Sequence, residues 1–296
     1  MLNVLGVTAP VFLLIGLGYV AVRAGWLGEG TRALGDFVLR LAMPALIFRA
    51  LASRPLAEVV DVGLLASYAG ASLIAFFATY ALYARQGGAR AACRALGGAA
   101  PNSGFVGFPL AILLVGPKAS VALALCLVVE NALTIPLGLA LAERGRPGPS
   151  PFSRLLRNPL VIAIAAGLVA AATGLALPAP LARVVDLLAN AAPGAALVAI
   201  GGGLAGLSVA AGVIEIVPVA AAKLLLHPFA LMGLSALVTG ADPEVRRAML
   251  VMASAPAFSI YPLICRAFGE ERAASTILLA ETALAFPTMS AWALVA

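Results

Sequence analysis

A hydrophobic segment broken by proline occurs twice in this chain, once in each half. The first copy reads PNSGFVGFP, Pro101 to Pro109, and the second reads SAPAFSIYP, Ser254 to Pro262. Phe105 then falls on Phe258, Phe108 on Tyr261 and Pro109 on Pro262, all at an offset of 153 residues. Each copy lies inside a long apolar stretch of otherwise helical character. Proline removes a backbone donor and clashes with the preceding turn. In lipid, an unpaired backbone group is too costly unless protein or a wet cavity covers it. Two matched breaks, one per half, point to a binding site at mid-membrane.

Composition supports a membrane chain. Hydrophobic residues make up 62% of it and charged residues 11%, against about 25% charged in a soluble domain. The mean hydropathy is +1.06. A length of 296 residues accommodates ten spans of about 20 residues with short loops. The net charge of +6 does not call for nucleic acid, because the bases are scattered between apolar runs without aromatic interleaving. Orientation in a membrane accounts for them better. Cys93, Cys126 and Cys265 are spaced neither as a disulfide framework nor as metal ligands. The N-terminus has no basic leader and its first apolar run is long, so it reads as a retained span. No cofactor and no metal are expected.

The apolar runs predict an all-α polytopic protein with ten transmembrane helices, at about 3–22, 32–52, 61–84, 92–115, 118–142, 158–177, 182–205, 213–238, 245–267 and 272–295. The stretch ERGRPGPSPFSR, Glu143 to Arg154, is dense in proline, glycine and arginine and divides the chain. The expected domains are therefore 1–142, a linker over 143–156, and 157–296. The halves echo each other elsewhere: Pro10 answers Pro159, Pro44 answers Pro193, and Glu130 with Pro136 answers Glu281 with Pro287. With the broken segments, these matches run at offsets from 149 to 153, which argues for duplication. Five spans per half force the second copy to insert upside down, giving two inverted repeats with broken helices 4 and 9. Loops after odd-numbered spans carry eleven bases and those after even-numbered spans five. The positive-inside rule then puts the odd loops in the cytoplasm and both termini outside, and the alanine- and arginine-rich composition with short loops suits a bacterial inner membrane.

A helix interrupted at mid-membrane exposes donors on one half and carbonyls on the other. The first suit an anion, the second a cation or a donor group. Gly104 and Gly107 allow close approach, while Asn102 and Ser103 add polar side chains. In the second copy Ser254, Ser259 and Tyr261 supply the polar groups. With Pro109 and Pro256, these form the expected substrate-lining set. Small residues in spans also serve simply as helix-packing surfaces. The pairing of the two copies favours the crossed site.

Five strings spread over the whole chain carry a resemblance: LRLAMPALIF (Leu39 to Phe48), PNSGFVGFPL (Pro101 to Leu110), AAPGAALVAIGGGL (Ala191 to Leu204), AAKLLLHP (Ala221 to Pro228) and SAPAFSIYP. On these the chain resembles the auxin efflux carrier family in its short bacterial form. The resemblance implies ten spans, a fold like sodium/proton antiporters and bile-acid symporters, and crossed broken helices at the substrate site. It also implies export or exchange of small organic anions, auxin in plants and dicarboxylates such as malate or malonate in bacteria. Asn102 above all would line the site. The short linker departs from the hydrophilic loop of long plant members, and the second break has no asparagine, so polar recognition is expected to be asymmetric.

Ionisable groups inside spans are functional candidates. Lys223, in the eighth span, reads either as a fixed cation for an anionic substrate or as a snorkelling side chain. Glu130 and Glu281 occupy equivalent places in the two halves and read either as proton-coupling groups or as structural pairs. Asn131 reads as a substrate ligand or an interhelical bond. Asp36 and Asp186 are expected at the interface, as is Arg49; Arg40, on the other side of Pro44, is harder to dismiss. His227, the lone histidine, is no metal site.

The leading expectation is a secondary carrier for small organic anions. Its runner-up is a sodium-coupled symporter or a sodium/proton antiporter of the same fold, although antiporters of this kind keep an acid at the crossover and neither broken segment here has one. An intramembrane enzyme is not expected, since one histidine cannot supply HExxH and no serine nucleophile has its surrounding pattern. The expected partners are a small organic anion, H+ or Na+ as coupling ion, and the bilayer; a homodimer is compatible with the sequence.

Overall fold

The computed structural model describes residues 2–28, 30–53, 61–144, 159–205 and 213–295. In the first half, α1 is Leu2–Arg23 and α2 runs over 30–52. α3 is Val62–Tyr83, α4 is Gly88–Ala99, α5 covers 103–115 and α6 covers 119–142. In the second half, α7 is Pro159–Thr173, α8 is Ala179–Ala205 and α9 covers 213–236. α10 is Pro243–Ala253, α11 is Tyr261–Arg266 and α12 is Glu271–Val295. Among the described residues no strand forms; the one β-type pairing is an isolated antiparallel bridge between Pro101 and Ala257.

Among the described residues, five helical stretches are long and apolar enough to cross a bilayer: Val62–Gln86, Ser103–Ala142, Ala179–Ala205, Glu215–Ala236 and Glu271–Val295. Phe12–Arg23 and Pro159–Thr173 are apolar but shorter. Ser103–Ala142 holds both α5 and α6, which part at Gly116, where φ is 65° and a side chain would be strained. Leu13 and Leu17 on α1, Phe77 on α3, and Leu181, Val184 and Leu187 on α8 are all exposed. Such a surface invites association in water and is ordinary against lipid. The chain is an all-helical, multi-pass membrane protein.

Prolines shape the helices from within. Four π-turns occur among the described residues, at Val38–Ala42, Ser103–Gly107, Glu130–Thr134 and Ala222–Leu226. Each stands two residues ahead of a proline: Pro44, Pro109, Pro136 and Pro228. A proline cannot donate to the carbonyl four residues back, and its ring pushes that carbonyl away. The residue four before each proline is the centre of its π-turn, so the widened turn is the local answer to the missing bond.

The helices gather into two bundles. In one, α1 and α2 pack on α8, and α7 packs on α2. Gly18 and Gly201 let α1 and α8 approach until a Cβ on either would strike the other helix's backbone, at Val198 and Ile15. In the other, α3 packs on α4 and α9, α10 on α5 and α6, and α12 on α9 and α11. Arg49 of α2 bonds Asn190 of α8 at 2.9 Å and Asp186 at 3.4 Å, which gives a half-exposed base two partners within its own bundle.

The expected helix 92–115 is the pair α4 and α5, beginning four residues earlier and interrupted at 100–102. The expected helix 245–267 is the pair α10 and α11, interrupted over 254–260. From residue 145 on, the expected linker lies outside the described residues, as do Arg54, Arg146, Arg154 and Arg157. Arg94, counted in the sequence with the loop bases, is instead buried in α4. Its Nη2 lies 2.9 Å from both Glu215 and Glu270, two carboxylates that make that burial tolerable.

Candidate functional site at the crossing of two broken helices

The two breaks complete each other. Asn102 donates its backbone N–H to Pro256 O at 2.7 Å, and Phe258 donates to Ala100 O at 3.2 Å. Backbone groups that the helix ends leave over are thus paired at depth, as lipid requires. The Asn102 carbonyl accepts from Val106 at 3.1 Å and Gly107 at 3.0 Å, which starts α5. Its side chain caps the same helix, Oδ1 accepting from Phe105 N–H at 3.2 Å, while Nδ2 donates to Ser259 Oγ at 2.8 Å. One asparagine therefore begins a helix and ties both breaks together. At the 153-residue offset Asn102 falls on Ala255, so the second break has no equivalent amide and offers Ser259 as its bonding partner instead.

A buried glutamate stands behind each break. Glu130 Oε1 accepts from Ser103 Oγ at 2.5 Å and from Tyr68 OH at 2.7 Å. Glu281 Oε2 accepts from the backbone N–H of Ala257 at 2.8 Å, while its Oε1 has no partner among the described residues. The equivalence read in the sequence thus has a geometric form: each carboxylate holds a residue of the break in its own half. Lys223 donates to Ala253 O at 2.5 Å, at the last residue of α10, where a cation also answers the helix dipole. It lies 3.1 Å from His227 Nδ1, whose Nε2 lies 3.1 Å from Ser72 Oγ. The Tyr68 and His227 rings lie 5.4 Å apart, joining this group to Glu130.

Two cavities flank the crossing, between the bundles. One, of about 590 Å3, is lined by Arg40 and Asp36 of α2, by Asn102, Ser103 and Gly104, by Glu130 and Asn131 of α6, and by Phe258 and Ser259. The other, of about 480 Å3, is lined by Arg32 of α2, by Gly202 and Leu204 of α8, by Asn102, Pro256 and Ser259, and by Glu271 of α12. Leu39, Asn102, Phe105, Ser259 and Ile260 line both and form the wall between them.

Of the expected site residues, Asn102, Ser103, Gly104, Glu130, Asn131, Pro256 and Ser259 come together at these cavities. Gly107 instead lies so close to α10 that a Cβ would stand 2.8 Å from Met252 Cα. Pro109 is buried in α5. Ser254 bonds back to Val251 O at 2.8 Å, and the buried Tyr261 hydroxyl lies over Gly97. Lys223 and Glu281 are buried behind the crossing and line neither cavity. Asn131 donates to Leu127 O at 2.9 Å, within its own helix. Sequence reasoning missed Tyr68, and its signal was a hydroxyl in an apolar span that needs a partner. Among the described residues no three His, Cys, Asp or Glu side chains gather as a metal set.

Two broken helices that complete each other in an apolar helical protein, with mostly apolar cavities between two bundles that carry a few polar side chains, define a membrane transporter. The profile of the family described as "Membrane transport protein" matches the chain twice, over residues 4–148 and 149–293. The chain belongs to this family, that of the auxin efflux carriers. A Rhizobium meliloti (strain 1021) protein named "Putative malonate transporter" is 32% identical over 294 residues, covering 94% of this chain and 92% of the relative. The "Uncharacterized transporter YfdV" of Escherichia coli (strain K12) is 30% identical over 146 residues, 46% of each chain.

Proposed function

We propose that this protein is a secondary carrier of small organic anions, dicarboxylates such as malonate or malate or auxin-like carboxylates, working by alternating access at the crossing. The observation that carries this is Asn102, which caps α5, bonds the second break through Pro256 and Ser259, and lines both cavities. An anion seated there meets amide and hydroxyl donors beside the N-terminal end of α5.

Ten spans in two inverted five-helix repeats, 1–142 and 157–296 joined by 143–156, are the architecture we assign. The double match of the family profile and the mutual completion of the breaks support it. Both termini lie outside the cytoplasm of a bacterial inner membrane in this reading. The smaller cavity reaches Gly28 and Glu271, beside loops that follow odd-numbered spans, and so faces the cytoplasm. The bundle of α1, α2, α7 and α8 moves against the other to expose the site alternately. Glu130 and Glu281 couple transport to protons. A proton on Glu130 weakens its hold on Ser103 and Tyr68, and one on Glu281 weakens its hold on Ala257.

Radiolabelled malonate flux into proteoliposomes, with pH and sodium gradients imposed separately, tests the reading. Flux driven by a pH gradient and lost in Asn102→Ala is the expected result. Flux driven by sodium alone would replace protons as the coupling ion. No flux of malonate or malate in folded protein would overturn the dicarboxylate assignment.

A further inference from the structure

Among the described residues, the buried and half-buried bases are mostly spent. Lys223 is held by Ala253 O and His227, Arg94 by Glu215 and Glu270, Arg49 by Asn190 and Asp186, and Lys118 by Asp242 and Glu244. Arg40 is different. It stands near the middle of α2, in the π-turn Val38–Ala42, four residues ahead of Pro44. Its side chain is exposed and lines the larger cavity, and it makes no hydrogen bond or ion pair with any described residue. Asp36, one turn earlier on the same helix, lines that cavity without pairing to it. In the ten-span reading α2 crosses the membrane, and a guanidinium left unpaired halfway along it, at a cavity that Asn102, Ser103 and Ser259 also line, is a functional candidate by default.

We infer that Arg40 binds a carboxylate of the transported anion. The guanidinium presents donors in a planar fork that matches a carboxylate in two parallel hydrogen bonds. Across the same cavity stand Asn102, Ser103 and Ser259, all of the other bundle. An anion held between Arg40 and Asn102 therefore bridges the two bundles that must move relative to each other. Ligand occupancy then bears directly on the rocking step, because the bound anion contributes contacts to both sides. This assignment rests on the organic-anion carrier reading.

The test is saturation of malonate uptake in proteoliposomes holding the full chain. Arg40→Gln is expected to raise KM by about tenfold to a hundredfold, the weight of a charged hydrogen bond. Arg40→Lys keeps the charge but not the fork and is expected to fall between it and wild type. Arg183→Gln removes an equal charge from an exposed position on α8 and is expected to leave KM unchanged. An unchanged KM in Arg40→Gln overturns the assignment and leaves the carrier reading intact. Should Arg40→Gln fail to fold, a wild-type KM in Arg40→Lys overturns the assignment in the same way. Wild-type vesicles that take up no malonate overturn the carrier reading, and Arg40 falls with it.

Discussion

Lys223 Nζ lies 2.5 Å from the carbonyl oxygen of Ala253, the residue at which α10 stops. A buried ammonium placed on the open end of a half-helix satisfies a carbonyl that has no helical partner and offsets the dipole. It also lies 3.1 Å from His227, whose ring is 5.4 Å from that of Tyr68, the hydroxyl that donates to Glu130. Lys223 thus belongs to a buried polar group behind the crossing and lines neither cavity.

Lys223→Met is accordingly expected to cost stability first. Leaving Ala253 O without its donor costs about 1–3 kcal/mol, read as a lower melting temperature in detergent. The rise in KM for malonate is expected to be smaller than in Asn102→Ala. Wild-type melting together with lost binding would instead make Lys223 a substrate ligand.

Asn102→Ala removes a helix cap and the bond to Ser259. The cap is worth about 1 kcal/mol, so the fold should survive. Malonate flux should fall at least tenfold, since the residue lines both cavities and ties the breaks. Asn102→Ala transporting at the wild-type rate would remove it from the site.

Glu130→Gln keeps the shape of the acceptor for Ser103 and Tyr68 and removes the ionisable group. Uptake driven by a pH gradient should drop to the level seen without a gradient, while counterflow exchange of malonate persists. Undiminished pH-driven accumulation would show that coupling lies elsewhere.

Outside the spans, Lys118 pairs with Asp242 at 2.8 Å and Glu244 at 2.7 Å, joining the turn before α6 to the start of α10. The Lys118 bond, with the backbone N–H groups that Asp242 caps, holds the Asp242 carboxyl below the usual carboxylate range. A depressed folded value means that the contribution is present above the unfolded pKa of about 4 and is lost as pH falls through the folded value. Asp242→Asn keeps the cap and removes the charge. It should lower the melting temperature at pH 7 and at low salt, with the difference from wild type closing below pH ~3. A difference independent of pH would assign the effect to the cap.

The sequence was most legible where proline acted. Pro101, Pro109, Pro256 and Pro262 announced the two breaks because a missing donor is a local fact, readable without knowing the neighbours. Glu130 and Glu281 were legible as a pair because the halves repeat. The division of labour around the breaks was not. Nothing near Lys223 indicates that it faces Ala253, 30 residues away, and nothing near Arg94 indicates Glu215 or Glu270, 121 and 176 residues away. Tyr68 was hidden for the same reason, since its partner lies three helices along the chain. Register between spans decides such contacts, and periodicity within one span carries no record of it.

The bridge between Pro101 and Ala257 spans more than half of the chain. During synthesis, at about 5–20 residues per second, the first break is made roughly 8–30 seconds before the residues that complete it. Over that interval Ala100 O and Asn102 N–H lack the partners they finally keep, at a depth where lipid offers none. The amino-terminal half can therefore reach its final form only when the carboxy-terminal half arrives. Two halves that each match the same family profile thus make a single obligate unit of biogenesis.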